Sequence, residues 1–108
     1  MKTILTTGSN GLLGQKIVAQ LLKSGISFLA TSKGENRNPD CPQHLYREMD
    51  ITSPASIRSV MDEVEVDAII NTAAMTLVDA CEDEAEKCRK INVDGVKNLY
   101  KICAERYV

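Results

Sequence analysis

Three glycines, at positions 8, 11 and 14, constrain this chain more than any other feature. They stand between two segments of different period. Before them, Ile4-Leu5-Thr6-Thr7 is a short apolar and β-branched run, which predicts a first strand. After them, Leu13, Ile17, Leu21 and Leu12, Val18, Leu22 recur at helical spacing, and Gly25 closes the helix as a cap. A glycine turn in that place permits a tight reversal and lets backbone approach a ligand closely. The helix that opens there presents unpaired N–H groups and the positive end of its dipole, which suits a diphosphate.

The rest of the chain repeats the alternation. Ile26 to Thr31 reads as a second strand, and Ser32 to His44, with Gly34, Asn36, Asn38, Pro39 and Pro42, reads as a loop. Leu45 to Met49 is a weaker strand. Ser53-Pro54 is a cap followed by proline at the first helical position, and Ile57, Val60, Met61 and Val64 share one helical face. Val66 to Ile70 is a fourth strand. A long helix is expected from about Cys81 to Tyr107, with Cys88, Ile91, Gly95, Leu99, Ile102 and Cys103 as its buried stripe. Its other side carries Glu82, Asp83, Glu86, Lys87, Arg89 and Lys90, read as a solvated face with ion pairs within the helix. Helical crossovers argue for parallel strands with right-handed connections. The prediction is an α/β, Rossmann-type doubly wound parallel sheet, truncated at four strands in the order 3-2-1-4.

At 108 residues the chain has room for one domain, 1–108. The formal charge of −2 disfavours nucleic acid, whose phosphates call for a basic surface. No apolar run is long enough to span a bilayer, and the apolar start is too short for a signal-peptide core, so a cytoplasmic protein without membrane partners is expected. Cysteines 41, 81, 88 and 103 permit two disulfides by count, but the absence of a signal argues for free thiols. No CxxC or HxxH pair exists, and His44 alone supplies one ligand at best, so no metal site is expected.

Thr7 to Gly14, as Thr-Gly-x-x-Gly-x-x-Gly, resembles the fingerprint of extended short-chain dehydrogenases/reductases. Asp50-Ile51 resembles the family's adenine-contacting pair, and Asn71-Thr72-Ala73-Ala74 its Asn-x-Ala-Ala segment along the cofactor. Asn92-Val93-Asp94-Gly95 resembles the Asn-Val-x-Gly of the next helix. The stretch Thr76 to Glu82 is similar to the dTDP-4-dehydrorhamnose reductase branch, which reduces a nucleotide-linked keto-sugar with NAD(P)H. The resemblance implies an NAD(P)-binding domain, 1–108, of a reductase acting on a nucleotide-sugar in dTDP-rhamnose synthesis, a homo-oligomer being compatible with it. Cofactor-binding residues are expected at Gly8, Asn10, Gly11, Leu12, Leu13, Gly14, Ser32, Lys33, Arg37, Asp50, Ile51, Ala73, Ala74 and Met75.

Cofactor choice is read after the second strand. A carboxylate roughly 20 residues beyond the glycine turn would hold the ribose 2′-hydroxyl of NAD. Here that place reads Thr31-Ser32-Lys33, with Arg37 nearby, which suits a 2′-phosphate and favours NADPH over NADH, with Glu35 as a partial offset. Asn92 lies on or beside the helix's buried stripe, where an amide needs its hydrogen bonds met, and the resemblance implies a supporting catalytic role.

The family's Tyr-x-x-x-Lys pair is absent. Tyr46 is followed four residues later by Asp50 and Tyr100 by Ala104, and the chain ends before such a partner of Tyr107. The remaining strands and a sugar-binding lobe are absent as well, so this chain by itself is expected to be inactive. Two other readings stay open at the level of sequence. One is an epimerase or dehydratase of nucleotide-sugars that retains NAD. The other is a non-catalytic regulatory subunit resembling the β subunit of methionine adenosyltransferase.

Overall fold

The computed structural model describes residues 3–73 and 90–106. Four strands form one parallel sheet: β1 (Thr3–Thr7), β2 (Phe28–Ser32), β3 (Tyr46–Glu48) and β4 (Val66–Asn71), in the order β3-β2-β1-β4. Among the described residues three α-helices follow or cross it: α1 (Leu12–Ser24), α2 (Pro54–Met61) and α3 (Gly95–Arg106). The order and parallel pairing are those expected from the alternation, and the fold is the Rossmann-type doubly wound sheet.

Alternation along the strands divides the interior between two faces. On one, Leu5, Leu29 and Met49 pack with Ile57, Val60 and Met61 of α2 and Leu99 and Ile102 of α3. On the other, Phe28, Ala30 and Tyr46 pack with Val18 and Leu21 of α1 and with Cys41. β2 is buried along its whole length, because it has strands on both sides and helices on both faces. Among the described residues β4 pairs with β1 alone.

The helix ends follow the sequence signals. Gly25 is left-handed, at φ 67°, and its N–H closes the last turn of α1. Ser53 accepts a bond from the Ser56 amide, with Pro54 at the first helical position of α2. Surface ion pairs then join α2 to α3, Arg58 to Glu105 at 3.3 Å and Asp62 to Arg106 at 2.7 Å. They link two helices rather than turns of one, and exposed pairs of this kind contribute about 0–1 kcal/mol.

Several expectations are corrected. Leu12 and Leu13 are 83% and 62% exposed and do not belong to the buried stripe of α1. They occupy the first turn of α1, and the helix buries Gly14, Val18 and Leu21 instead. The second strand starts at Phe28 and includes Ser32, because β1 offers partners only from Ile4 onward. The third strand shrinks to Tyr46–Glu48, and a 3₁₀ turn at Gln43–Leu45 takes the end of the expected loop together with the expected strand's first residue. Of the expected long helix, the described residues show a π-helical turn, Lys90–Asp94, that runs into α3. Asn92 is exposed on that turn instead of lying along the buried stripe, since the wider turn rotates it away from the face carrying Gly95, Leu99 and Ile102. The expected charged positions 82–89, Cys81 and Cys88 lie outside the described residues. Cys41 is buried and Cys103 half-buried, both as free thiols. No helix among the described residues is long and apolar enough to cross a membrane.

Candidate functional site

The carboxyl ends of β1 and β4 are stitched together by side chains. The Thr7 hydroxyl donates to Asn71 Oδ1 and accepts from the amides of Thr72 at 3.1 Å and Ala73 at 3.2 Å. Thr72 returns its own hydroxyl to the Thr7 carbonyl at 2.6 Å. This network closes the backbone groups that the sheet ladder leaves open at its end. It also fixes Ala73 at the rim of a cleft.

The three glycines of the turn have different reasons to be there. Gly8 has φ 69°, and a Cβ on it would stand 2.6 Å from Thr72 Oγ1. A Cβ on Gly14 would run into the Gly8 carbonyl, so this residue lets α1 sit against the turn. Gly11 differs from both. Its φ is −79°, open to any residue, and a Cβ on it would meet nothing closer than the Gly8 carbonyl at 3.4 Å. Neither packing nor backbone conformation requires glycine there. Gly11 faces the cleft, and an added side chain would fill cleft space.

The cleft has a volume of about 250 Å³ and lies along the carboxyl ends of the strands. Of the residues expected to bind, Gly8, Gly11, Ser32, Lys33, Arg37, Asp50, Ile51 and Ala73 line it together. Thr7, Thr31 and Met49 also line it and were not anticipated. Thr7 and Thr31 read as plain strand residues, because β-branched side chains suit strands whatever else they do. Asn10, Leu12, Leu13 and Gly14 belong to the turn and first helical turn but do not line the cleft. Ala74 and Met75 lie outside the described residues. Asn92 is on the π turn before α3 and is not part of the cleft.

One end of the cleft is positive. Lys33 and Arg37 are exposed, and no described residue forms an ion pair with either. Opposite them is Asp50. Burial pushes its carboxyl up, but bonds from the Thr52 hydroxyl (2.6 Å) and amide (2.9 Å), with the charge of Lys33, outweigh it and hold the group below the ordinary aspartate range. Asp50 is therefore ionised and half-engaged by its own turn. Burial, reinforced by Glu48, pushes the Tyr46 phenol above its ordinary value, against the pull of Asn10 and Arg37. It stays protonated and serves as a donor. Between the charged groups, Met49, Ile51 and Ala73 supply an apolar surface.

The first turn of α1 completes the site. Its N–H groups have no acceptors within the helix, no acidic side chain neutralises the turn, and Gly11 provides no capping side chain. This arrangement suits an anion lodged over Gly11, with a flat apolar group toward Ile51 and a second anionic substituent toward Lys33 and Arg37. Among the described residues that line it there is no nucleophile–base pair.

The model of the RmlD substrate binding domain matches residues 1–108. The chain belongs to this family. It is 35% identical over 94% of its length to a probable low-salt glycan biosynthesis reductase, Agl14, of Haloferax volcanii, covering 33% of that protein. It is 31% identical over 92% of its length to a dTDP-4-dehydrorhamnose reductase of Streptomyces griseus, covering 28% of it. The chain thus spans about a third of the length of the curated relatives it matches. Among solved structures, an L-threonine dehydrogenase from Clostridium difficile superposes with a TM-score of 0.85 at 26% identity, over 97% of this chain and 34% of that one. Membership of the family agrees with the resemblance carried by the glycine turn and by Asn71 to Ala74.

Proposed function

We propose that the cleft binds the adenosine diphosphate half of a nicotinamide dinucleotide, and that the protein is an NAD(P)H-dependent nucleotide-sugar reductase of the dTDP-4-dehydrorhamnose reductase kind. Residues 1–108 act in this reading as its NAD(P)-binding domain. The observation that carries it is Gly11, a glycine that packing does not require, in the wall of a cleft at a helix N-terminus. Dinucleotide folds need bare backbone at that place so that a diphosphate can approach.

Each residue then has a task. The amides of Leu12, Leu13 and Gly14 face the diphosphate while the two leucine side chains remain outside the contact. Asp50 and Ile51 meet the adenine, Ile51 by packing and Asp50 through the carboxylate oxygen that Thr52 leaves free. Ser32, Lys33 and Arg37 take the ribose 2′ position, which favours NADPH over NADH. Ala73, with Ala74 and Met75 after it, leads along the sheet edge toward the nicotinamide. The bound cofactor supplies the hydride that reduces a keto carbon. Asn92 supports the catalytic groups from an exposed place on a π-helical turn, a geometry common at functional sites. The proton donor the family resemblance implies, a tyrosine with a neighbouring lysine, has no Tyr-x-x-x-Lys counterpart in residues 1–108, so this stretch alone is expected to bind NADPH weakly at best and to turn over no sugar.

The relatives' names favour this chemistry, because a dTDP-4-dehydrorhamnose reductase and a glycan biosynthesis reductase are both reductases of sugar metabolism. The test is Gly11→Val in the full-length protein. NADPH affinity is expected to fall at least tenfold with far-UV circular dichroism unchanged, since the side chain would occupy the path of the diphosphate. Unchanged affinity would reject the cleft as the dinucleotide site.

A further inference from the structure

Asn10 does not line the cleft, yet its side chain fastens the loop that carries the cleft's two cations. Its Nδ2 donates to the Glu35 carbonyl at 3.0 Å. Its Oδ1 accepts from the Arg37 amide at 2.7 Å. Its own amide donates to Ser32 Oγ at 3.1 Å, and its carbonyl accepts from Gln15 Nε2 at 2.9 Å. One residue of the glycine turn therefore holds Ser32, Glu35 and Arg37, three points spread across the loop after β2.

Further bonds tie the same loop to β3 and to the glycine turn. The Tyr46 hydroxyl lies 3.0 Å from the Ser32 carbonyl and 2.5 Å from that of Gly34, which turns with φ 84°. Buried Asn38 reaches back to the Ser9 carbonyl at 3.1 Å. Lys33 and Arg37 themselves are exposed, and neither forms an ion pair within 4 Å among the described residues. Their backbone is fixed while their charges are left available. That is the arrangement expected of groups pre-organised for an anion, because ordering the loop before binding removes an entropic cost from the binding step.

We propose that Asn10 is a positioning residue for nucleotide selectivity: through the Glu35 carbonyl and the Arg37 amide it ties the diphosphate-facing turn to the loop that reads the ribose 2′ position. The proposal rests on the dinucleotide reading of the cleft. It gives Asn10 no contact with the nucleotide. It makes the setting of the Ser32–Arg37 loop depend on the turn, so the two halves of the recognition surface are held in one register. Asn10→Ala deletes both side-chain bonds but leaves the Asn10 amide bond to Ser32 and every glycine of the turn in place.

The experiment titrates the full-length protein with 2′,5′-ADP and with 5′-ADP, for the natural sequence, Asn10→Ala, Arg37→Ala and the double variant. Asn10→Ala is expected to lower the preference for 2′,5′-ADP about five- to tenfold while 5′-ADP affinity stays within about twofold, the scale of one charge-assisted bond misplaced. The double variant is expected to lose little more than Arg37→Ala, because Asn10 acts through Arg37. Tyr46→Phe, which loosens the same loop from β3, is expected to lower the same preference. Equal losses for both probes in Asn10→Ala, or additive losses in the double variant, would overturn the proposal while leaving the dinucleotide site standing. Binding of neither probe to the natural protein would overturn the dinucleotide reading itself, and the proposal with it.

Discussion

The Cδ1 atom of Ile51 lies 2.5 Å from the point where a Cβ on Gly95 would stand. The first residue of α3 is thus bare so that the side chain after β3 can press against the helix, and Asn98 one turn later donates to the Ile51 carbonyl at 3.0 Å. Both residues are buried, so the displaced isoleucine has little room. Overpacking at such a contact costs about 1–3 kcal/mol, against about 1 kcal/mol that alanine gains over glycine inside a helix. Gly95→Ala is expected to lower stability by about 1 kcal/mol in urea denaturation, and adding Ile51→Val to restore part of it. A Gly95→Ala protein more stable than its parent would show that Ile51 yields freely.

Arg37 is expected to separate the two nicotinamide cofactors. Losing a charge-assisted bond to a 2′-phosphate costs about 1.5–3 kcal/mol, about ten- to a hundredfold in affinity. Arg37→Ala in the full-length protein should weaken NADPH by that factor and NADH by much less, as read by fluorescence titration. Equal weakening of both would remove the 2′-phosphate from the assignment.

Asp50 ties acid stability to the site. Its carboxyl is held below its ordinary value despite burial, by the Thr52 bonds and Lys33. A group whose pKa is depressed in the folded state stabilises it above the unfolded value, about 3.9 for aspartate, and loses that contribution as pH falls through the folded value. The Asp50→Asn protein lacks this titration. The stability difference between the natural protein and Asp50→Asn should therefore be constant from pH 7 to 5 and shrink below about pH 4. Denaturation midpoints across that range check it, and a difference that grows on acidification would contradict the assigned sign.

Strand order, parallel pairing and the caps at Gly25 and Ser53 were legible because each is written in neighbouring residues: a period, a glycine past a helix, a serine before a proline. The cleft-lining part of the glycine turn was legible for the same reason. The work of Asn10 was not, since its partners lie 25 and 27 residues away and no local pattern marks a side chain that braces a distant loop. Thr7 and Thr72 were hidden likewise, their bonds spanning 65 residues. Leu12 and Leu13 misled because helical spacing tells which residues share a stripe, but not which turns of the helix the rest of the fold covers. Asn92 misled because a π-helical turn changes the period on which its placement was read.

The pairing of β1 with β4 has a consequence for how the molecule is made. β1 is synthesised before β4 and lies between β2 and β4 in the sheet, and Thr7 meets Asn71 only 64 residues later. At about 5–20 residues per second, a ribosome needs roughly 3–13 seconds to deliver that partner. Throughout this interval β1 can be flanked by β2 but presents its other edge, with the turn of Gly8 lacking the Thr72 that packs against it. The nascent cleft is therefore left without one wall until β4 has emerged, and the nucleotide proposed for it would find no complete seat on the growing chain before that moment.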